Sequence, residues 1–244
     1  MARIFITGST DGLGLATAQS LLDGGHHVIV HARSAGRLGA LQELADRGAA
    51  TVVGDLSDTA QTRDIADQVN RSGPVDAVIH NAGVLSGPDI FQVNVAAPYL
   101  LTVLIHRPRR LIYLSSGMHR GGHAGSFRDG AGAGGAPRVS YSDSKLYVTA
   151  LAAAVARLWP EVLSNAVDPG WVPTKMGGPG APDDLRLGHV TQEWLATSDD
   201  PEALTSGGYW HHQRRDKAHP AALDQHLQDE LLDYLARLTG ERLT

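Results

Sequence analysis

The sequence predicts an α/β protein in which helices cover both faces of a parallel β-sheet. Short apolar runs rich in β-branched residues alternate along the chain with longer segments of helical periodicity. This alternation is typical of β-α-β units, whose crossover helices pack on the sheet. A glycine turn joins the first strand to the first helix, and no internal repeat or clear linker interrupts the chain. We therefore expect one doubly wound domain spanning residues 1–244.

The predicted elements follow one another in a regular order. A first strand, Ala2 to Thr7, leads through the glycine turn into a helix from Leu15 to Leu22. Further strands are predicted at 27–31, 50–53, 75–80, 109–115 and 162–167, and helices at 36–48, 58–72, 90–105 and 140–159. A short strand at Gly208 to His211 and a helix from Ala221 to Leu238 complete the expected fold.

Composition narrows the classes of function. With 42% apolar and 19% charged residues, the chain is typical of a globular protein. A net charge of −5 argues against a nucleic-acid partner, and the cluster Arg107 to Arg110 is expected to be a solvated start of a strand. The absence of cysteine excludes disulfides, thiolate metal sites and a cysteine nucleophile. No membrane span and no signal-peptide pattern are seen, which favours a cytoplasmic location.

Twelve histidines raise the question of a metal site. The adjacent pairs His26-His27 and His211-His212 lie on predicted strands, where neighbouring side chains point to opposite faces. No convincing helix carries two histidines at ligand spacing, so no metal is expected. His119 and His123 are expected to be solvent-exposed loop residues, with contact to a substrate as the alternative.

The turn after the first strand has the features of a dinucleotide site. Glycines at positions 8, 12 and 14 allow a tight turn and a close approach of the backbone to a pyrophosphate. The helix that follows would present its positive N-terminal end to that group. The spacing is G-x-x-x-G-x-G, and its place between a strand and a helix favours binding over a simple turn.

Tyr141 and Lys145 are the strongest indication of chemistry. They lie four residues apart in a segment that predicts a helix, so both side chains share one face. A free phenol has a pKa of about 10, and a neighbouring cation lowers it, which would make Tyr141 a general acid/base. The spacing by itself is more typical of a half-buried aromatic beside a solvated lysine. The glycine turn favours the catalytic interpretation.

Taken together, these residues resemble the short-chain dehydrogenase/reductase family over nearly the whole chain. The matching motifs are Thr7 to Gly14, Asn81-Ala82-Gly83, Asn94 within Val93 to Val95, Leu114 to Gly117, the Tyr141/Lys145 pair, and Asp168 to Thr174. The spacing of 25 residues between Ser116 and Tyr141 and the segment Ser206 to Trp210 are most similar to the retinol-dehydrogenase-like branch. The resemblance implies a Rossmann-fold domain, a nicotinamide cofactor and often a homodimer or homotetramer.

The resemblance also implies a mechanism, namely hydride transfer between the nicotinamide and a small-molecule carbonyl or alcohol substrate. Tyr141 would pass the proton to or from the substrate oxygen, and Ser116 would hydrogen-bond that oxygen. Lys145 would hold the ribose hydroxyls and depress the Tyr141 pKa, and Asn94 would hold a water linking Lys145 to solvent. Ser115 stays an alternative to Ser116, since alternating side chains bring only one of the two to the site. The rival hypothesis is a dinucleotide-binding sensor or scaffold without turnover.

Residues at the end of the second strand predict which of the two nicotinamide cofactors, NADP(H) or NAD(H), is bound. Arg33 stands where a carboxylate would select NAD(H), so a 2′-phosphate is favoured, and Ser34 adds a hydroxyl donor. Against this, Asp11 stands where some NADP-preferring members carry a cation. NADP(H) is therefore favoured over NAD(H), with Arg33 covering only the adenine face as the alternative.

The remaining cofactor contacts follow from the motif positions. The full expected set is Gly8, Thr10, Asp11, Gly12, Leu13, Gly14, Arg33, Ser34, Asp55, Leu56, Asn81, Ala82, Gly83, Tyr141, Lys145, Pro169, Gly170, Val172 and Thr174. Turn chemistry is the alternative for Asp55 and Asn81, and a helix N-cap for Thr174. The stretch 121–135, which holds seven glycines, is either a mobile lid or a disordered loop. The short segment between Asn81 and Asn94 leads us to expect a late start for the helix that carries Asn94.

Overall fold

The computed structural model describes residues 1–128 and 137–244, whose eight strands form one sheet. The strands are β1 Arg3–Ile6, β2 His27–Ala32, β3 Ala50–Val53, β4 Ala77–His80, β5 Arg110–Leu114, β6 Leu163–Asp168, β7 Tyr209–His211 and β8 Arg214–Asp216. Their order is β3-β2-β1-β4-β5-β6-β7-β8, and every pair is parallel except β7 with β8. Strand order reverses between β1 and β4, the position at which open α/β sheets bind their ligands.

Helices cover both faces of this sheet, which confirms the predicted fold class. They are α1 Gly12–Asp23, α2 Gln42–Asp46, α3 Thr59–Arg71, α4 Ala97–Leu104, α5 Tyr141–Leu158, α6 Leu185–Thr197 and α7 Gln225–Thr239. One apolar core joins the sheet to α1 and α6, and a second joins it to α3, α4, α5 and α7. None of the helices within 1–128 and 137–244 is long and apolar enough to cross a membrane.

Four local features differ from the sequence prediction. Helix α6 and strand β8 were not predicted. The helix predicted at 36–48 is a 3-10 segment, Ala35–Leu41, followed by the short α2, because Gly36 and Gly39 weaken helical propensity. Arg110 is buried rather than solvated, and its guanidinium donates to the carbonyls of Leu195 and Ser198 at 3.0 and 2.8 Å.

A hydrogen-bonded clamp fixes the ends of β1 and β4 to each other. The Thr7 hydroxyl accepts from the backbone N–H groups of Asn81 and Ala82, both at 3.0 Å. The Asn81 amide donates in return to the carbonyls of Thr7 and Gly8, at 2.9 and 3.0 Å. The glycine turn is therefore held by side chains from the next strand of the sheet.

The first turn of α1 packs directly on this clamp. A Cβ atom at Gly14 would lie 2.3 Å from the Gly8 carbonyl oxygen and 2.5 Å from the Asn81 amide nitrogen. Both distances are far inside van der Waals contact. Gly14 therefore serves close packing between helix and strand, as the third glycine of such turns does.

A buried histidine lies behind the site, at the end of β4. His80 stacks on Tyr113 with ring centroids 4.7 Å apart, and Thr102 bonds its Nε2 at 3.2 Å. Its Nδ1 has no hydrogen-bond partner among the described residues. Burial lowers the His80 pKa from 6.5 to about 3, so the native protein keeps this ring neutral at pH values where the unfolded chain takes up a proton.

Substitution at Gly14 tests the packing of the turn. We expect Gly14→Ala to lower the free energy of unfolding by about 1–3 kcal/mol, because backbone must shift to admit the methyl group. Gly39→Ala is the matched control, since a Cβ there meets nothing within 4 Å. Urea unfolding monitored by circular dichroism gives both values. Equal midpoints for the two variants would contradict the close packing.

The pH dependence of stability tests the burial of His80. Because its native pKa is depressed, its contribution is complete above pH 6.5 and is lost progressively as pH falls toward about 3. The expected loss from this residue between pH 7 and pH 5 is about 2 kcal/mol. Urea unfolding at pH 7 and at pH 5 should show that His80→Leu loses less unfolding free energy than the wild type between these pH values, by that amount. The exposed His106→Gln should retain the wild-type dependence, and an unchanged slope in His80→Leu would contradict the assignment.

Candidate active site

Two connected cavities open at the carboxyl ends of the parallel strands. The first, which we call the groove, has a volume of about 500 Å³ and runs from the glycine turn past Arg33 and Asp55 to Lys145. The second, the side cavity, has a volume of about 740 Å³ and is lined by Ser116 and Asp168 among others. Six residues line both: Leu13, Ser115, Tyr141, Pro169, Thr174 and Met176. Tyr141 thus stands where the two cavities meet.

Most of the predicted cofactor residues line the groove. They are Gly8, Thr10, Asp11, Gly12, Leu13, Arg33, Asp55, Leu56, Asn81, Ala82, Gly83, Tyr141, Lys145, Pro169 and Thr174. Four do not. Gly170 and Val172 line the side cavity, Gly14 packs beneath the turn, and Ser34 lines neither cavity.

Helix α5 begins at Tyr141, and a capping box fixes that start. The Ser140 hydroxyl accepts from the Asp143 N–H at 3.1 Å, and the Asp143 carboxylate accepts from the Ser140 N–H at 3.0 Å. One turn later, Lys145 is buried, and its Nζ donates to the Leu114 carbonyl at 2.7 Å. Its Nζ lies 5.4 Å from the centre of the Tyr141 ring. The predicted shared pocket of phenol and ammonium is therefore present.

The pKa values of this pair are set mainly by burial. Burial lowers the Lys145 pKa to about 8, with Asp168 acting against the change. Burial raises the Tyr141 pKa to about 12; the Ser116 side chain lowers it, and the charge of Asp168 raises it further. The expectation that Lys145 depresses the Tyr141 pKa is therefore wrong for this arrangement. The ammonium bonds a backbone carbonyl and faces the ring rather than the hydroxyl.

The two serines after β5 have different environments. The Ser115 hydroxyl is buried and bonds the Thr149 hydroxyl at 2.7 Å. Ser116 begins a 3-10 turn, Gly117–Gly121, and its hydroxyl accepts from the Met118 N–H at 3.2 Å while facing the side cavity. Of the two hydroxyls, that of Ser116 is the one beside Tyr141, because it lies within hydrogen-bonding reach of the phenol, whereas that of Ser115 bonds Thr149.

His119 supports the Ser116 backbone, contrary to the expectation that it is an exposed loop residue. It is fully buried, and its Nε2 accepts from the His219 N–H at 2.9 Å. Its Nδ1 must then carry the proton, which it donates to the Ser116 carbonyl at 2.8 Å. The His123 side chain is 85% exposed, as expected.

Asn94 lies in a single π-helical turn, Gln92–Ala96, just before α4. Its side chain accepts from the Val84 N–H at 2.8 Å and donates to the Val84 carbonyl at 3.0 Å and the Ser144 hydroxyl at 2.9 Å. These three hydrogen bonds of the Asn94 side chain are all made to other residues of the protein. Asn94 holds the groove floor at 83–84 against α5. Helical structure begins at residue 90, the start predicted from the sequence, but the regular helix α4 begins only at Ala97, after Asn94, in line with the expected late start.

The far end of the groove carries a cation that the sequence analysis missed. Arg37 donates to the Thr10 hydroxyl and to the Asp11 carboxylate, both at 2.9 Å, and Lys175 reaches the same carboxylate at 2.9 Å. Burial acts to raise the Asp11 pKa, but these hydrogen bonds outweigh it and lower the pKa. Arg33 is open to ligands, with a side chain 71% exposed and 3.9 Å from Asp55. The sequence feature that could have indicated Arg37 is its position four residues after Arg33.

The groove has the features that a dinucleotide requires. Two glycines keep its floor open: a Cβ at Gly12 would lie 3.3 Å from the Thr174 side chain, and one at Gly83 would lie 3.3 Å from the Asn94 amide oxygen. His31 secures the glycine turn by accepting from the Gly8 N–H at 3.0 Å and bonding the Gly54 carbonyl at 2.8 Å. Cationic side chains lie at one end of the groove and the Tyr141/Lys145 pair at the other.

Metal ligands are not clustered in residues 1–128 and 137–244: no group of three or more suitable side chains is close enough to hold an ion. The glycine-rich stretch 121–135 is described only as far as residue 128. In that part Phe127 is buried and packs edge-on against Tyr147 at 5.2 Å. The rest of the predicted lid or loop lies outside the described residues.

Comparison with known proteins identifies the family. Residues 2–111 match the family model described as short chain dehydrogenase. The chain is 40% identical to an uncharacterized oxidoreductase of Emericella nidulans, with 98% of each chain covered. It is 35% identical to the short-chain dehydrogenase chyC of Penicillium rubens, covering 100% of this chain and 99% of that one.

A solved structure shares the fold. The blue fluorescent protein from a metagenomic library, solved in complex with NADPH, has a TM-score of 0.70 and 22% identity, over 86% of this chain and 95% of that one. At this identity the likeness concerns the fold alone. The two closer sequence relatives carry the assignment, and the protein belongs to the short-chain dehydrogenase family of nicotinamide-dependent oxidoreductases.

Proposed function

We propose that the protein is an NADPH-preferring reductase of small-molecule carbonyl compounds, which also catalyses the reverse oxidation of the alcohol. The observation that carries this proposal is the position of Tyr141. Its side chain lines both cavities, beside the Ser116 hydroxyl and one helical turn from Lys145. A substrate in the side cavity and a cofactor in the groove would meet at this side chain.

The protein's own residues would move the proton. When bound, the nicotinamide supplies or accepts the hydride. With a pKa of about 12, Tyr141 keeps its proton near neutrality, which suits an acid that protonates the substrate oxygen during reduction. Ser116 would donate to the same oxygen as negative charge develops.

Lys145 would hold the cofactor rather than the substrate. An ammonium group has three donors, of which Lys145 uses one on the Leu114 carbonyl, leaving two for ribose hydroxyls. Asn94 would support Lys145 indirectly, through the groove floor at Gly83, and the proposed water between Lys145 and solvent would lie beside it. The glycine turn would take the pyrophosphate, Asp55 and Leu56 the adenine, and Thr174 the carboxamide.

NADPH preference follows from two arginines at the adenosine end. Arg33 has an exposed guanidinium, and Arg37 is held 2.9 Å from the Thr10 hydroxyl. Asp11, which argued against a phosphate at the sequence level, is neutralised by Arg37 and Lys175.

Four finer features of the function stay predictions. These are membership of the retinol-dehydrogenase-like branch, a single domain over 1–244, a cytoplasmic location, and a homodimer or homotetramer. A sensor without turnover is disfavoured because Ser116, Tyr141 and Lys145 are all retained and lie together.

Removal of the Tyr141 hydroxyl tests the catalytic role. Tyr141→Phe should lower kcat for ketone reduction by roughly a thousandfold, because no other phenol stands at the junction. NADPH affinity, measured by nicotinamide fluorescence, should stay within about twofold of wild type. Tyr147→Phe is the matched control on the same helix, where the hydroxyl instead donates to the His123 carbonyl at 2.6 Å. Retained turnover in Tyr141→Phe would remove this residue from its role.

Substitution of the two arginines tests the cofactor preference. Arg33→Ala and Arg37→Ala should each raise the Kd for NADPH by roughly tenfold or more, because a charge-assisted hydrogen bond to phosphate is lost. The Kd for NADH should change little. Arg47→Ala, which removes an arginine paired with Asp23 outside the groove, serves as the control. Tighter binding of NADH than NADPH by the wild-type protein would overturn the preference.

A further inference from the structure

The side cavity has an apolar rim. Leu85, Met118, Trp171 and Met176 line it with side chains 46%, 53%, 58% and 42% exposed. These are four of the seven large hydrophobic side chains that are exposed among the described residues. Exposed apolar groups gathered around a concavity mark a site for an apolar ligand.

One carboxylate lies inside this apolar cavity. Asp168, the last residue of β6, is only 7% exposed and lines the cavity. Its Oδ1 accepts from the Gly170 N–H at 3.0 Å. Within residues 1–128 and 137–244, no donor makes a hydrogen bond to its Oδ2. A buried carboxylate oxygen without a donor is costly, so a ligand that supplies one gains affinity.

The neighbours of Asp168 do not supply that donor. His211 Nδ1 is 3.8 Å from Oδ2, and its bond is to the Asp168 backbone carbonyl at 3.1 Å. Among the described residues the buried Tyr209 hydroxyl makes no hydrogen bond of good geometry, but it lies beside the Asp168 carboxylate. Burial, and after it the charge of Asp168, raise the Tyr209 pKa. An ionised carboxylate accepts more than one hydrogen bond on each oxygen, so Oδ2 keeps acceptor capacity for a ligand even with Tyr209 beside it.

The open carboxylate oxygen lies beside the reacting position. In the β5–β6 register Leu114 pairs with Val167, so Ser115 and Asp168 follow side by side. A Cβ at Gly117 would lie 3.1 Å from Oδ2, so the absence of a side chain next to Ser116 leaves this oxygen open. A donor that meets Oδ2 is thus a few bonds from a carbonyl held by Ser116 and Tyr141.

The charged side chains among the described residues that line the side cavity are both carboxylates. Among the residues that line it are Asp168 and a second carboxylate, Asp183, which accepts from the Trp171 N–H at 2.6 Å. The described lining includes no lysine or arginine, and the neighbouring Arg120, whose Nη1 would lie 3.7 Å from a Cβ at Gly117, is paired with Asp216 at 2.7 Å. A carboxylate or phosphate on the substrate would therefore meet repulsion here, while an ammonium would be attracted.

We propose that Asp168 is a specificity-determining residue that accepts a hydrogen bond from a hydroxyl or ammonium group next to the reacting carbonyl of an apolar ketone. The substrate class is accordingly hydroxy- or amino-ketones with an aromatic or aliphatic body, and keto acids are disfavoured. The inference rests on the proposed reductase function, because it places the carbonyl at Tyr141.

Four phenyl ketones with one variable group test this selectivity. They are α-hydroxyacetophenone, α-aminoacetophenone, the methyl ether of the hydroxy compound, and benzoylformate. We expect kcat/KM with NADPH to be at least tenfold higher for the hydroxy and amino ketones than for the methyl ether, and lowest for benzoylformate. Wild-type protein that reduces the methyl ether as well as the hydroxy compound would overturn the proposal without any variant.

Asp168→Asn tests whether this residue is responsible. The ratio of kcat/KM for the amino ketone to kcat/KM for the methyl ether should fall by roughly tenfold or more. The carboxylate charge is lost in this variant, and an amide donor now faces the ether oxygen. Asp183→Asn is the control that should keep the wild-type ratio. A ratio unchanged in Asp168→Asn, or lowered equally in Asp183→Asn, would contradict a direct contact with Asp168.

Calorimetric binding to the protein without NADPH separates this inference from the proposed function. Tighter binding of the hydroxy and amino ketones than of the methyl ether, with no reduction of any of them, would support the site and refute the reductase. Reduction of all four with equal kcat/KM would support the reductase and refute the site. Absence of both binding and reduction would refute both.

Discussion

The site depends on the clamp between Thr7 and Asn81. These two residues join the ends of β1 and β4 through four hydrogen bonds of 2.9 to 3.0 Å. The clamp sets the shape of the glycine turn, on which α1 begins and against which Gly14 packs. It lies where strand order reverses, so the groove opens at the point that the sheet topology provides.

Burial, rather than ion pairing, dominates the chemistry at the other end of the groove. The Lys145 and Tyr141 pKa values move in the directions that desolvation dictates, and the charge of Asp168 raises both. The result is a phenol that keeps its proton and a lysine that loses part of its charge above a pH of about 8. Both groups are prepared to donate hydrogen bonds, which suits carbonyl reduction.

Local patterns predicted most of the fold and of the groove, because each strand, helix and motif carries its own signal. Of the fifteen residues that line the groove as predicted, most lie in the glycine turn or just after a strand, and Tyr141 and Lys145 lie in the first turns of α5. Features that depend on tertiary contacts were missed. Arg37 belongs to the site only because a 3-10 segment brings it to Asp11, and His119 is buried only because residues near His219 fold over it. The predicted direction of the Tyr141 pKa shift was wrong, because the spacing of two residues along a helix does not show how deeply they are buried.

The most direct test of the proposed carbonyl reduction is the transfer of a labelled hydride. The wild-type protein would be incubated with NADPH deuterated at C4 of the nicotinamide and with α-hydroxyacetophenone, and the product analysed by mass spectrometry. We expect one deuterium on the carbinol carbon from one face of the nicotinamide, and none with Tyr141→Phe. NADPH that binds in the groove while no deuterium reaches the ketone would contradict the assignment of a reductase.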